Sequence, residues 1–215
     1  MATDALAGAP QCLCTLMIAA AERPTEASTL ALAGVVSRWR ERPPPYAQPV
    51  AGLEQDTLLR LLQLTFPGLP GHLCKGLAEL QVPLGAQERC DEFDDILALL
   101  REHRCAEGEP SHWLAHAIAT ACMADNHLWQ DMGLPNRGVL NALLREHFTM
   151  LYLKNVGDMK WKKFFYKQLC ERAELPICKS PSCGVCVDFK VCFGPEDRPE
   201  PGWFAQKGPA LAGYA

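Results

Sequence analysis

The stretch WLAHAIATAC, residues 113–122, decides the fold of this 215-residue chain. Its large apolar residues Leu114 and Ile118 recur at helical spacing, and alanine or cysteine fills positions 117, 121 and 122 on the same side. A helix with so many small side chains lets neighbouring helices approach closely. The stretch therefore predicts a closely packed helix, with other helices arranged around it.

Other segments of the chain repeat the same apolar spacing of three and four residues. They lie at 13–20, 32–39, 58–66, 93–100, 140–147 and 161–169. Proline and glycine interrupt the pattern near 24, 43–45, 67–71 and 107–110, and no convincing alternating strand occurs. Asp158, which follows Gly157, is the expected N-cap of the last helix. The sequence therefore predicts an all-α fold, an irregular bundle of about seven helices.

The helical pattern ends near Leu175. Residues 176–193 are rich in Cys, Pro, Gly and Ser and show no periodicity, and residues 194–215 are rich in Pro, Gly and Ala. We therefore expect a helical domain over 1–175, a cysteine-rich metal-binding loop over 176–193 packed on it, and a flexible extended tail over 194–215.

Composition restricts the class of protein. A hydrophobic content of 48% and a charged content of 21% are those of an ordinary globular protein, and a net charge of −4 argues against a surface adapted to nucleic acid. The longest apolar run, Cys12 to Ala21, is far short of the ~20 residues that span a bilayer. The residues before it include Asp4 but no Lys or Arg, unlike a signal peptide. We expect a cytoplasmic protein that binds neither nucleic acid nor membrane.

The chain has eleven cysteines, which is unusual for a cytoplasmic protein because disulfides rarely persist there. An odd number also cannot pair completely. Seven are scattered along the chain: Cys12, Cys14, Cys74, Cys90, Cys105, Cys122 and Cys170. The other four fall within fifteen residues: Cys178, Cys183, Cys186 and Cys192. This concentration predicts a metal site.

The four clustered cysteines have the spacing C-x4-C-x2-C-x5-C. Pro181 and Gly184 help such a loop to fold back, so that four thiolates converge on one centre. The first three cysteines share the spacing of plant-type ferredoxins. Structural zinc usually takes two separated pairs of ligands, whereas this segment has one close pair, Cys183 and Cys186. The spacing favours an iron–sulfur cluster, with zinc, or redox-active or incidental thiols, as alternatives.

The helix predicted over 159–173 carries four lysines around an aromatic stripe. They are Lys160, Lys162, Lys163 and Lys167. An amphipathic helix with solvated lysines is the favoured interpretation, and a positive field for an anionic cluster or an acidic partner is the other. Cys170 on this helix is a weaker candidate metal ligand, since a core or spare thiol is the simpler interpretation.

His112 and His116 stand four residues apart, a spacing that lets two imidazoles face one metal. The acidic residue of a protease motif is missing, so surface or packed histidines are favoured. The chain also has no glycine-rich phosphate loop, nucleophile elbow or dinucleotide fingerprint. We expect that it is not an enzyme.

Four stretches resemble the NifQ family of nitrogen-fixing bacteria, from about residue 90 to residue 196. They are DEFDDILALL (91–100), HLWQDMGLPNRGVL (127–140), MKWKKFFYKQLCE (159–171) and CKSPSCGVCVDFKVCFGPE (178–196). The first ninety residues resemble the family only in being helical. Thr149 stands where the resemblance leads us to expect a proline.

The resemblance implies a role in making the iron–molybdenum cofactor of nitrogenase. NifQ proteins carry a molybdenum–iron–sulfur cluster and donate molybdenum to the assembly machinery, so the implied partners are the cofactor-assembly scaffold, the molybdenum-inserting protein and a molybdenum source. By the same resemblance, Cys178, Cys183, Cys186 and Cys192 are the cluster ligands. His127 is a weaker candidate for approaching the cluster or an entering oxyanion, and Arg137 is a weak candidate anion contact. Molybdenum is implied by the family and not by the spacing.

Overall fold

A computed structural model describes residues 10–82, 91–174 and 189–196, with side chains from 13 and from 92 in the first two ranges. Within these ranges the chain forms eleven α-helices and one 3-10 turn, Trp39–Glu41, and no strand. In chain order, α1 to α11 are Pro10–Ala19, Ala27–Ser37, Gln55–Thr65, Gly71–Glu79, Asp91–Glu102, Glu109–Cys122, Leu128–Asp131, Arg137–His147, Thr149–Lys154, Trp161–Arg172 and Phe189–Phe193.

The all-α prediction is confirmed, but the expected number of about seven helices was too low. The prediction missed α4, α7, α9 and α11. The proline and glycine residues before α4 indicate a break in the helical pattern, although the helix begins at Gly71 itself. The other three have four to six residues, too few for an apolar period to show.

Helix α6 lies at the centre of the fold. From Trp113 to Cys122 every one of its side chains is buried. It packs against α2, α5 and α7, because its alanines leave room for neighbours on several sides. One apolar cluster runs from Leu13 in α1 to Phe165 in α10, so the helices before and after α6 share a core.

Two glycines allow the closest backbone approach in the core. The Cα of Gly34 in α2 faces the turn that follows α7, and a Cβ there would overlap the backbone oxygen of Met132. Gly133 in that turn has a φ of +66°, a conformation that favours glycine. We call this contact the Gly34–Gly133 seam. It fixes α2 against the turn from which α8 begins.

The turn between α8 and α9 is closed by Thr149 instead of the expected proline. The Thr149 hydroxyl donates to the carbonyl of Arg145 at 2.6 Å. Its backbone nitrogen also lies 3.1 Å from the Cys105 sulfur, which ties this turn to the segment that follows α5. No helix in the part of the chain that the structure describes is both long and apolar enough to span a membrane.

Candidate metal centre

Of the four clustered cysteines, Cys192 lies within the described residues, and Cys178, Cys183 and Cys186 lie outside them. Cys192 is on the short helix α11, so the last part of the segment predicted as a loop is helical. Its carbonyl accepts a hydrogen bond of 2.8 Å from the N–H of Lys160, just before α10. Cys192 and Phe193 pack against the core. The backbone of Cys192 is therefore held by the helical domain.

Arg137 at the start of α8 also holds the segment that carries Cys192. Its Nη1 donates to the carboxylate of Glu196 at 2.6 Å, and that carboxylate side chain is only 8% exposed. Its Nη2 donates to the Asp158 carboxylate at 2.8 Å and to the Met159 carbonyl at 2.9 Å. Arg137 therefore binds two carboxylates of the chain itself. Asp158, with a φ of 53°, serves this contact, and the N-cap position of α10 belongs to Lys160.

Two of the four lysines near α10 are buried, so their interpretation as solvated was wrong. Lys160 is 8% exposed and Lys162 is 5% exposed. The Lys162 ammonium donates to the Asp131 carboxylate at 2.5 Å and to the Ala124 carbonyl at 2.7 Å. The Asp131 carboxylate also accepts from the backbone and side chain of Asn126. This buried ion pair joins α10 to α7 and the turn before it.

The remaining two lysines are more accessible. Lys163 is half-buried, whereas Lys167 is exposed and forms a pair of 3.5 Å with Glu171. The Lys162–Asp131 pair was not expected from the sequence. One signal was available: Lys162 stands three residues before the buried Phe165, on the same face of the helix.

His127 lies at the same edge of the fold as Cys192. It is 5% exposed, and its backbone N–H donates to the side-chain oxygen of Gln130 at 3.1 Å, which caps α7. With Lys160, Lys163 and Glu196 it lines a cavity of about 10 Å³, the space that one water molecule requires. The structure thus brings His127 close to the segment that bears Cys192, in a largely cationic surrounding.

Cys170 lies at the other end of α10. It is half-buried, and burial raises the pKa of its thiol, which keeps the thiol protonated. It stands ten residues beyond Lys160, whose N–H binds the Cys192 carbonyl. A helical rise of 1.5 Å per residue separates the two positions by about 15 Å. The structure therefore does not bring Cys170 and Cys192 together.

His116 is a packed histidine, as the favoured interpretation had it. Arg101 only donates, so the Nε2 of His116 accepts from it at 2.9 Å, and Nδ1 carries the proton that is donated to the Ala51 carbonyl at 3.1 Å. Burial lowers the pKa of His116 to about 3, so the ring is neutral. Both ring nitrogens are occupied, and His112 contacts the ring edge-on.

No group of three or more His, Cys, Asp or Glu side chains within the described ranges could hold a metal ion. Of the scattered cysteines in these ranges, Cys74 and Cys122 are buried, Cys14 is half-buried and Cys105 is exposed. Burial raises the pKa of the Cys14 and Cys74 thiols, which disfavours the thiolate that a metal needs. Among the described residues, the scattered cysteines therefore form no candidate metal site of three or more ligands.

The fold and this edge define a class of protein: an all-helical domain that holds one end of a four-cysteine segment against cationic side chains. The sequence profile of the NifQ family matches residues 31–194. The chain belongs to the NifQ family. The match reaches back to α2, well before residue 90, where the sequence motifs suggested that the resemblance begins.

Curated relatives support the same assignment. Protein NifQ of Azotobacter vinelandii is 38% identical over 152 residues, which cover 67% of this chain and 77% of the relative. A NifQ homolog of Sinorhizobium fredii is 34% identical over 148 residues, or 69% of this chain and 62% of the relative. Protein NifQ of Klebsiella pneumoniae is 45% identical over 82 residues, or 37% of this chain and 48% of the relative. No solved structure matches the chain.

Proposed function

We propose that this chain carries a molybdenum-containing iron–sulfur cluster and donates molybdenum for assembly of the nitrogenase iron–molybdenum cofactor. Membership of the NifQ family supports this role in cofactor assembly. The proposed ligands are Cys178, Cys183, Cys186 and Cys192, and the cluster is the cargo of the protein. The chain is then a carrier and not an enzyme, and it acts in the cytoplasm with the cofactor-assembly proteins and a molybdenum source as its partners.

The observation that carries the proposal is the concentration of four cysteines on one segment, whose last cysteine, Cys192, is bonded through its backbone to the lysine-bearing end of α10. Thiolates are soft ligands that suit iron and sulfide-bound molybdenum, whereas free molybdate has hard oxygen ligands that thiolates do not retain. Four thiolates and a sulfide-containing cluster concentrate negative charge, which favours a position beside lysines. Lys160 and Lys163 lie at the end of α10 to which the Cys192 backbone is bonded.

The anchoring of Cys192 suits a carrier. Its backbone is held through its carbonyl and through the bond of Glu196 to Arg137, and neither contact uses the thiol. The fold therefore sets the position of the Cys192 backbone through contacts that are independent of the metal. We leave Cys170 out of the proposed ligand set because about 15 Å of helix separates it from the Lys160 contact.

Anaerobic purification with iron, molybdenum, zinc and sulfide analysis tests the proposal. The intact chain should contain iron, sulfide and molybdenum, and Cys178→Ala, Cys183→Ala, Cys186→Ala and Cys192→Ala should each lose or degrade the cluster. Helical circular dichroism should be largely kept, since the helical domain has its own core. The matched controls are Cys105→Ser, Cys170→Ser and a variant with Cys12, Cys14, Cys74, Cys90 and Cys105 all replaced, which should retain their metal.

Stoichiometric zinc without iron or sulfide would refute the cluster and leave a zinc-stapled helical interaction module as the function. Loss of iron from a folded control variant would instead show that a scattered cysteine is a ligand. Delivery is tested separately, by molybdenum transfer from the loaded protein to a cofactor-assembly extract. A loaded protein that delivers no molybdenum would refute the donor role.

A further inference from the structure

Most of the large apolar side chains that the described residues expose lie on two short helices and the turn that follows the first of them. There are seven such side chains: Leu16, Leu64, Met150, Leu153, Val156, Phe189 and Val191. The last five belong to α9, the turn directly after it and α11. Exposed apolar side chains that are scattered singly need no explanation, whereas a concentration of them marks an interaction surface.

The turn after α9 adjoins α11 at Phe193, the residue after Cys192. Phe193 of α11 lies against Gly157, where a Cβ would come 3.2 Å from its ring, and Val156 is the preceding residue. Val156 is 91% exposed, which is extreme for an apolar residue next to a packed ring. We call Met150, Leu153, Val156, Phe189 and Val191 the outer patch.

The side chains of α11 divide between the core and this patch. Cys192 and Phe193 pack against the core, whereas Phe189 and Val191 are 45% and 42% exposed. Phe189 stacks on Phe193, with ring centroids 4.6 Å apart and planes 18° apart. The packed ring of Phe193 thereby supports Phe189 as a fixed apolar side chain at the surface. The helix that bears a proposed cluster ligand is itself part of the outer patch.

The charges of these elements select the kind of partner. Over α9, residues 155–158 and α11, the charged side chains are Lys154, Lys190 and Asp158. Both lysines are exposed, and the Asp158 carboxylate is bound to Arg137 at 2.8 Å. The patch thus combines an apolar surface with an excess of positive charge. Such a surface fits a protein that presents apolar side chains bordered by carboxylates.

We propose that the outer patch is the docking surface for the scaffold protein that accepts the molybdenum-containing cargo, and that this scaffold meets it with an apolar centre and an acidic rim. The inference rests on the proposed function, since it places the acceptor beside Cys192. A metal that is transferred between two proteins must lie near their interface. Helix α11 provides both a proposed cluster ligand, Cys192, and part of the outer patch. Apolar contacts would hold the complex, and Lys154 and Lys190 would speed its formation.

The test measures binding of the loaded protein to the purified cofactor-assembly scaffold, with Kd from calorimetry, association rates from stopped-flow mixing, and metal analysis of every sample. The double variant Leu153→Ser/Val156→Ser should raise Kd by about tenfold or more and keep its iron, because truncating central apolar contacts costs affinity. The matched control is Leu16→Ser/Leu64→Ser, which removes two exposed leucines from helices outside the patch and should leave Kd unchanged. Lys154→Glu/Lys190→Glu should lower the association rate at low salt and weaken its salt dependence.

Several outcomes would overturn the docking proposal. They are an unchanged Kd in the Leu153→Ser/Val156→Ser variant, and an equal loss of affinity in the control. Loss of iron from the Leu153→Ser/Val156→Ser variant would mean that the chain's own cysteine segment covers the patch. Loss of self-association in the same variant would mean that a second copy covers it. An unchanged association rate in the lysine variant would refute the acidic rim. Failure of the proposed function is seen separately, as wild-type protein that holds neither iron nor molybdenum.

Discussion

Replacing Lys162 by methionine should destabilise the fold far more than the same replacement of an exposed lysine. The Lys162 and Asp131 side chains are each only 6% exposed, and the substitution leaves the Asp131 carboxylate buried without its counter-charge. The two hydrogen bonds that Asn126 donates to the Asp131 carboxylate remain, but Asn126 is neutral and does not replace the charge of Lys162. Removing one partner of a buried ion pair costs about 3–5 kcal/mol. For a chain of this length, that corresponds to a fall in Tm of roughly 6–20 °C.

Urea unfolding followed by circular dichroism measures this loss, with Lys167→Met as the matched control on the same helix. Lys167 and Glu171 are 50% and 55% exposed, so breaking their pair should cost about 0.5 kcal/mol or less. The double variant Lys162→Met/Asp131→Leu should regain much of the stability, since it removes both buried charges. A loss below about 1 kcal/mol for Lys162→Met would refute the reasoning, as would a double variant no more stable than Lys162→Met alone.

Three further predictions concern the core, the anchored segment and pH. Gly34→Ala should prevent stable folding, because its Cβ would overlap backbone across the seam, whereas Gly71→Ala, with open space around it, should leave Tm nearly unchanged or raise it. Arg137→Ala should make tryptic cleavage near α11 faster, and Arg60→Ala, which breaks an exposed pair, should not. Because the pKa of His116 is about 3 in the fold and higher in the unfolded chain, the unfolded chain binds the proton first. Acidification from about pH 6.5 towards 3 should therefore reduce the contribution of His116 to the free energy of unfolding by up to about 1.4 kcal/mol per pH unit, and His116→Gln should make the total slope shallower by up to that amount.

The sequence predicted the longer helices because each has an apolar face with a period that can be counted. α5 and α8 are examples, where the buried residues fall at the expected spacing. α7, α9 and α11 are too short for such a period, and contacts distant in sequence hold them in place. α11 is anchored through Lys160 and Arg137, which lie 32 and 55 residues before Cys192 in the chain. Spacing within one segment cannot predict such contacts.

The candidate site divides in the same way. The four cysteines were found from sequence because their spacing alone concentrates thiols on one segment. The contacts that surround the Cys192 segment could not be predicted from sequence in this way. The buried pair of Lys162 with Asp131, for example, joins residues 31 positions apart. Arg137 was a weak candidate for contacting an anion, and in the fold it binds carboxylates of the chain, one of them 59 residues away. Charged residues can be counted from a sequence, but which of them neutralise one another depends on the fold.

The Gly34–Gly133 seam sets a lower limit on how short a working version of this protein can be. The turn that contains Gly133 precedes α8, and α8 begins with the arginine that holds the Cys192 segment. A fragment that began near residue 91 would keep every cysteine of the cluster and every contact made by α11. It would nevertheless lack α2, leaving one side of α6 and the concave backbone at Gly133 open to water. Such a fragment would have the four proposed ligands without the support that positions Cys192, so shortening this protein from its N-terminal side should abolish the proposed metal retention before any of these cysteines is removed.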